Sequence, residues 1–233
     1  MCGIAPTIAD IVALRERLAD NSGMHPSAGE TIELYERHAR AFDAERARSL
    51  FERGWLDHFR AVIGPAASVL DLGCGMGEPM ARYLIGNAHP VTGVDAAPAM
   101  IALCRERFPS ETWIAADMRA LDLGVQFGGT LAWDSFFHLT PEDQRAMFAV
   151  FRRHAARGAG LMFTSGPAHG EAIGSFRGEP LYHSSLDADE YRALLKAHGF
   201  EIVAHVVEDA TCGGHTVWLA RRLEDFEATG NAA

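Results

Sequence analysis

The spacing of apolar residues changes character partway along the chain. Before Gly64-Pro65 they recur every three to four positions; after it, short apolar runs alternate with helical stretches. Thr7 with Asp10 makes a capping-box-like start, and Ile8, Ile11, Val12 and Leu18 then share one helical face. Residues 21–26 are a break. Ser27 with Glu30 is expected to open a second helix, with Ile32, Tyr35, Ala39 and Phe42 along one side. Beyond Pro65 the pattern predicts strands over 68–72, 90–95, 112–117, 130–134 and 160–164. Helices fall between them: one from Glu78-Pro79, one from Pro98 to about residue 107, and one opened by Thr140-Pro141-Glu142-Asp143 that ends before Gly158. Such alternation argues for a parallel sheet covered by helices on both faces.

After the fifth strand the alternation stops. Residues 166–185 read as a long Gly-, Pro- and His-rich connection. A helix capped by Asp187 and Glu190 and closed by Gly199 follows it. Two last strands, 201–208 and 216–222, are joined by a link too short for a crossover, so they are expected to pair antiparallel. On this reading residues 1–62 are N-terminal helices forming a lid over the site, 63–223 a single core domain and 224–233 a polar tail.

Composition narrows the function classes. The chain has 233 residues, 48% of them hydrophobic, enough for one sizeable core. A net charge of −10 and the lack of any Lys/Arg run argue against nucleic-acid binding and favour a small-molecule partner. No apolar run approaches membrane-spanning length, and residues 1–20 lack the pattern of a secretory signal. Cys2, Cys74, Cys104 and Cys212 form no paired spacing, which points to reduced thiols and a cytoplasmic location.

Candidate chemistry begins at the first strand. Val69-Leu70 run into Asp71 and then into Gly73, Gly75 and Gly77. Glycines at a strand-to-helix turn let backbone approach a ligand without a Cβ between them. A dinucleotide fingerprint would place its third glycine at 78, where this chain has Glu78, a carboxylate near the site of a pyrophosphate. An acidic residue, one spacer and Gly-x-Gly-x-Gly instead resembles the first motif of the class I S-adenosylmethionine (SAM) methyltransferases. The resemblance spans about residues 31–222. It implies an α/β fold, a doubly wound seven-stranded sheet of order 3-2-1-4-5-7-6 with strand 7 antiparallel. It also implies SAM as methyl donor and S-adenosylhomocysteine (SAH) as product.

Asp95 ends the second strand, where an acidic side chain can accept both hydroxyl hydrogens of a ribose. The resemblance assigns further cofactor roles. Asp71, Gly73, Gly75 and Gly77 would form the cofactor loop. Asp117 would accept from the adenine amino group, with Met118 packed on the ring and Ala96 and Met100 lining its pocket. Trp133 and Asp134 would contact the methionine portion, and Tyr35 would close over the cofactor carboxylate. Phe42 stands where the family usually has a second tyrosine.

Transfer from a sulfonium asks mainly for alignment and exclusion of water. A base is needed only when the acceptor atom carries a proton at working pH. His138 is the candidate base, with bracing of the following helix as its alternative role. In the 166–185 connection, His169, Glu171, Tyr182 and His183 offer hydrogen bonds to a polar acceptor, and Arg177 could pair with a carboxylate. His169, His183, Cys212 and His215 have no recognised ligand spacing, so no metal is expected. The expected activity is SAM-dependent methyl transfer to an oxygen or nitrogen of a small molecule. SAM binding without transfer, as a sensor or partner subunit, is the alternative. A nucleotide-dependent oxidoreductase is opposed by Glu78, Asp117 and the terminal hairpin.

Overall fold

A computed structural model describes residues 25–224. The helix expected to carry Ile8 and Leu18, Cys2, and most of the expected tail lie outside the described residues. The helices are α1 (Thr31–Glu45), α2 (Arg53–Ile63), α3 (Met80–Gly86), α4 (Pro98–Arg107), α5 (Pro141–His154) and α6 (Ala188–Ala197). The strands are β1 (Val69–Leu72), β2 (Val91–Asp95), β3 (Thr112–Ala115), β4 (Phe127–Ala132), β5 (Ala155–Ser165), β6 (Gly170–Phe176), β7 (Glu179–Ser185), β8 (Phe200–Asp209) and β9 (His215–Arg222).

Seven strands form one sheet in the order β3-β2-β1-β4-β5-β9-β8. β1 to β5 run parallel, while β9 is antiparallel to both β5 and β8. Alternation of side chains across the pleat gives the sheet two buried faces. Val69, Leu131 and Met162 pack with Trp55, Leu56 and Phe59 of α2 and with Leu84 and Ile101 of α3 and α4. Leu70, Leu72 and Phe163 face the other way, onto Phe148 and Phe151 of α5 and Tyr191 and Leu195 of α6. α2 lies close to the sheet because Gly129 yields space: a Cβ there would stand 2.6 Å from the Phe59 ring. A smaller cluster of Ala39, Met76, Ala97 and Met100, with Tyr35 and Phe42 against it, seats α1 beside α4.

Four expectations are corrected. Ser27 and Glu30 do not open a helix: Pro26–Gly29 is a 3₁₀ turn, capped by His25 Nδ1 accepting the Ser27 N–H, and α1 starts at Thr31. β4 ends at Ala132, leaving Trp133 and Asp134 in the loop beyond it, and β5 begins directly after α5. The 166–185 segment is no irregular connection. It contains the β6–β7 hairpin, whose two-residue turn, Arg177-Gly178, has both φ angles positive (53° and 82°). That is the geometry of a primed hairpin turn, usually signalled by Asn-Gly or Asp-Gly; an arginine in the first turn position hid it.

Candidate functional site

The parallel strands β1 and β4 are neighbours whose following chains leave to opposite sides, and a cleft opens at their carboxyl ends. Its volume is about 920 Å³ with the open mouth included. The glycine loop forms the floor. Gly73 and Cys74 donate their N–H groups to the Val94 carbonyl at 2.7 and 3.1 Å, which folds the loop over β2. Gly73 adopts φ 71°, and a Cβ there would stand 2.2 Å from Cβ of Ser135, so only glycine lets the loop meet the chain after β4. Ser135 fastens the same junction by donating to the Leu72 carbonyl at 2.6 Å.

Asp95 accepts the N–H of Gly75 through Oδ2 and that of Ala97 through Oδ1, each at 2.9 Å. Burial raises its carboxyl above the usual range, and these two bonds oppose the rise. Ala96 and Met100 extend that wall. Asp117 and Met118 line another part of the cleft. Burial works against the Asp117 charge, yet the Arg119 guanidinium gripping both its oxygens holds the carboxyl below its ordinary range. The cleft thus presents acceptor-only carboxylates, Asp95 and Asp117, with sulfur-bearing apolar side chains nearby. That donor set fits ribose hydroxyls and an aromatic amine, all of which donate. It does not fit a pyrophosphate: Glu78, after the loop, is a carboxylate already engaged by Arg48 and Arg82 at 2.8 and 2.5 Å.

Tyr35, Asp134 and His138 also line the cleft. His138 Nδ1 lies 2.8 Å from the Tyr182 carbonyl, which can only accept, so Nδ1 carries the proton and Nε2 offers a lone pair. The Tyr35 hydroxyl donates to that Nε2 at 3.2 Å. Burial lowers the His138 pKa, keeping the ring neutral at neutral pH. Asp134 sits at φ 50°, and its N–H donates to Thr164 Oγ1 at 2.9 Å. Its carboxylate meets His215 Nε2 at 2.9 Å and Arg46 Nη2 at 3.4 Å. Burial alone would raise the Asp134 carboxyl; His215 and Arg46 hold it below its usual range. Burial likewise disfavours the His215 charge, but Asp134 outweighs it and pushes the imidazole up to about 9.

Residues 69–158 match the family model described as a methyltransferase domain. A malonyl-[acyl-carrier protein] O-methyltransferase of Paenibacillus sp. (strain JDR-2) is 27% identical over 201 residues, 76% of this chain and 69% of that protein. A dTDP-3-amino-3,6-dideoxy-alpha-D-glucopyranose N,N-dimethyltransferase of Streptomyces fradiae is 35% identical over 92 residues, 39% of this chain but only 35% of that protein. Among solved structures, a Burkholderia thailandensis 1,6-didemethyltoxoflavin-N1-methyltransferase with bound SAH superposes at TM-score 0.68. It is 20% identical, with 88% of this chain and 93% of that chain covered.

Residues 69–158 thus match a methyltransferase domain, on a fold this chain shares with solved methyltransferases. Of the residues expected at the cofactor site, Tyr35, Gly73, Gly75, Asp95, Ala96, Met100, Asp117, Met118 and Asp134 line this same cleft. Three do not reach it. Asp71 is buried within β1, where burial, then Asp95, push its carboxyl up to about 7. Gly77 faces Phe108, whose ring is 2.9 Å from the position of a Cβ. Trp133 turns into the core on the α2 side, its ring 5.3 Å from that of His215.

The structure does not bring the expected acceptor residues into the cleft either. His169 is exposed. Tyr182 donates to Glu171 at 2.7 Å across the hairpin, and Arg177 forms an ion pair with Glu45. His183 packs between Phe137 and His138, and burial together with His138 pushes it down to about 3. They build the hairpin and fasten it to α1; pairing across strands placed them there, which residue type does not reveal. Sequence reading missed Arg46, Ser135 and Arg119. Arg46 and Ser135 have no motif spacing to mark them, but Arg119 stands two residues beyond Asp117, a local pairing that was open to inspection. Among the described residues no cluster of three or more His, Cys, Asp or Glu could hold a metal ion, and no helix is long and apolar enough to cross a membrane.

Proposed function

We propose that this methyltransferase moves the SAM methyl group to an oxygen or nitrogen of a small-molecule acceptor. The observation that carries the reading is the cleft itself: a glycine floor at the β1–β4 junction, carboxylates Asp95 and Asp117 facing it, and Tyr35, Asp134 and His138 lining it too. The relatives support both atoms, one being named an O-methyltransferase and another an N,N-dimethyltransferase. Bound there, SAM supplies a methyl group on a sulfonium that needs no further activation.

The chain supplies the rest. Asp95 takes the ribose hydroxyls on its remaining lone pairs, and Asp117 takes the adenine amino group while Arg119 holds it ionised. Met118, Met100 and Ala96 pack on the ring. Asp134 and Tyr35 bound the methionine end. Residues 25–62 act as a lid, because α1 covers the cleft and the β6–β7 hairpin holds α1 from outside. Such closure excludes water and fixes the line of attack, worth about 7–11 kcal/mol of barrier when the alignment is good. His138 would serve as base for a protonated acceptor once its Nε2 gives up the Tyr35 hydroxyl. Three free thiols, Cys74, Cys104 and Cys212, support a cytoplasmic setting.

Calorimetric titration with SAH, with NADH as control, tests this. One-site binding of SAH alone is expected. Binding of NADH in its place, or of neither by a folded protein, would refute the reading.

A further inference from the structure

The polar cluster behind Asp134 is incomplete. Arg46, just past α1, reaches Asp134 at 3.4 Å and Glu52 at 3.5 Å, both through Nη2. Among the described residues its guanidinium has no other hydrogen-bond partner. A guanidinium carries five N–H donors in a planar fork suited to gripping a carboxylate by two parallel bonds. Most of this fork is unspent. Glu52, at the start of α2, is fully buried, and its Oε2 has no hydrogen-bond partner. Burial raises its carboxyl, which weakens it as a counter-ion to Arg46. The buried indole N–H of Trp133 has no partner either. His215 opens β9, donates through Nδ1 to the Cys212 carbonyl at 2.7 Å and presents Nε2 to Asp134. Two cations therefore meet two carboxylates here, of which Asp134 is held below its usual range and Glu52 raised above it. The side chains of Arg46, Asp134 and His215 remain 15, 24 and 21% exposed, and Asp134 joins the pair to the cleft it lines.

We propose, resting on the methyl-transfer reading, that the acceptor is a carboxylic acid and that Arg46 and His215 clamp one of its carboxylate oxygens beside Asp134. The other oxygen then faces the cleft. It bonds to the methyl carbon as the carbon–sulfur bond breaks, and the bonding pair stays on sulfur. The products are a methyl ester and SAH, and no proton moves. This agrees with the state of His138, whose lone pair is already occupied by Tyr35; a carboxylate needs no base. It also answers a long-range problem. A chain of net charge −10 repels anions, so an anionic acceptor requires local cations at its docking point.

The test uses the full chain, methyl-tritiated SAM, and a panel of small di- and tricarboxylic acids with their amide counterparts, plus amines and phenols. The expected product is a base-labile label, released as methanol by alkali, from acids only. Arg46→Gln should raise the KM for the acid at least tenfold while SAH affinity stays within twofold, and Arg46→Lys should recover only part of the loss. His215 is faced by Asp134 from the chain after β4, by Glu52 before α2, by Arg46 after α1, and by Cys212 from the β8–β9 link. With this balance the acceptor KM should rise as pH passes about 9, and His215→Gln should abolish that rise. Label appearing only on amines or phenols overturns the proposal, as does a wild type that binds SAH yet esterifies no acid. So does an Arg46→Gln variant whose SAH affinity falls as far as its acceptor affinity, because the guanidinium then serves the cofactor. Failure of the wild type to bind SAH would instead defeat the methyl-transfer reading itself.

Discussion

At the scale of single residues, the site depends on groups that do two things at once. Asp95 braces the glycine loop through Gly75 and Ala97 and faces the cleft with the same carboxylate. Asp95→Ala is expected to cost about 1.5–3 kcal/mol of SAH binding, roughly ten- to hundredfold in Kd by calorimetry. Its melting temperature should fall as well, since two partly buried N–H groups lose their acceptor. Asp95→Asn, which keeps an acceptor oxygen, should retain more stability than affinity. Gly73 carries the opposite demand, for absence of a side chain. Gly73→Ala places a Cβ against Ser135 at a positive φ, and we expect at least about 2 kcal/mol of lost stability together with lost SAH binding. A variant that melts like wild type would show that Ser135 moves aside freely.

At the scale of elements, the β6–β7 hairpin is the addition that shapes the site. Phe176 at its tip stacks on Tyr35 at 5.9 Å and meets Phe42 at 6.0 Å. Glu179 pairs with Arg37 and His38 at 2.5 Å, and Arg177 with Glu45. The ion pairs are partly exposed and worth little singly; the aromatic contact holds the lid. Phe176→Ala should therefore loosen α1, weakening SAH binding several-fold and speeding proteolysis within residues 25–50, whereas Glu179→Gln should change both only slightly. The hairpin's other end is held by Gln144 of α5. Its Nε2 donates to the Leu139 carbonyl at 3.0 Å and to Ser184 Oγ at 2.8 Å, and its Oε1 accepts from Tyr191 at 2.5 Å. Gln144→Leu strands these buried partners, which should cost about 1–3 kcal/mol per uncompensated group, seen as a lower denaturation midpoint.

At the scale of the whole molecule, buried titrating groups set how stability varies with pH. Asp71 is raised in the fold to about 7 from an ordinary value near 3.8. Between those values the unfolded chain is ionised and the folded one is not, so its contribution to stability falls as pH rises through that window. His215 is raised to about 9 from 6.5. Its contribution is fully present below about 6.5 and is lost as pH climbs through 9. Asp134 and Asp117, both depressed, act in the opposite direction and lose their contributions only as pH falls below the usual carboxylate range. Melting temperature measured across pH should thus carry a decline from these two groups between about pH 4 and 9. Asp71→Asn should flatten the decline between pH 4 and 7, and His215→Gln should flatten the part between 6.5 and 9. Unchanged profiles in both variants would remove these groups as its source.

What the sequence determined by itself is whatever local period and turn chemistry encode. The 3.6- and 2-residue periods marked the βα units, the short link 209–214 made the last two strands antiparallel, and the glycine loop with Asp95 and Asp117 located the cleft, because strand ends in such a sheet share one edge. Tertiary structure alone decided which of those side chains face the cleft. Trp133 and Asp134 are adjacent in sequence, yet one enters the core while the other lines the site, since the chain turns at Asp134 with a positive φ that no residue pattern announces. Arg46, Glu52 and His215 come from separate segments and gather near Asp134 only because the end of α1, the start of α2 and the β8–β9 link all lie beside the chain after β4. Long-range pairing of that kind is set by packing of whole elements, not by the spacing of neighbours along the chain.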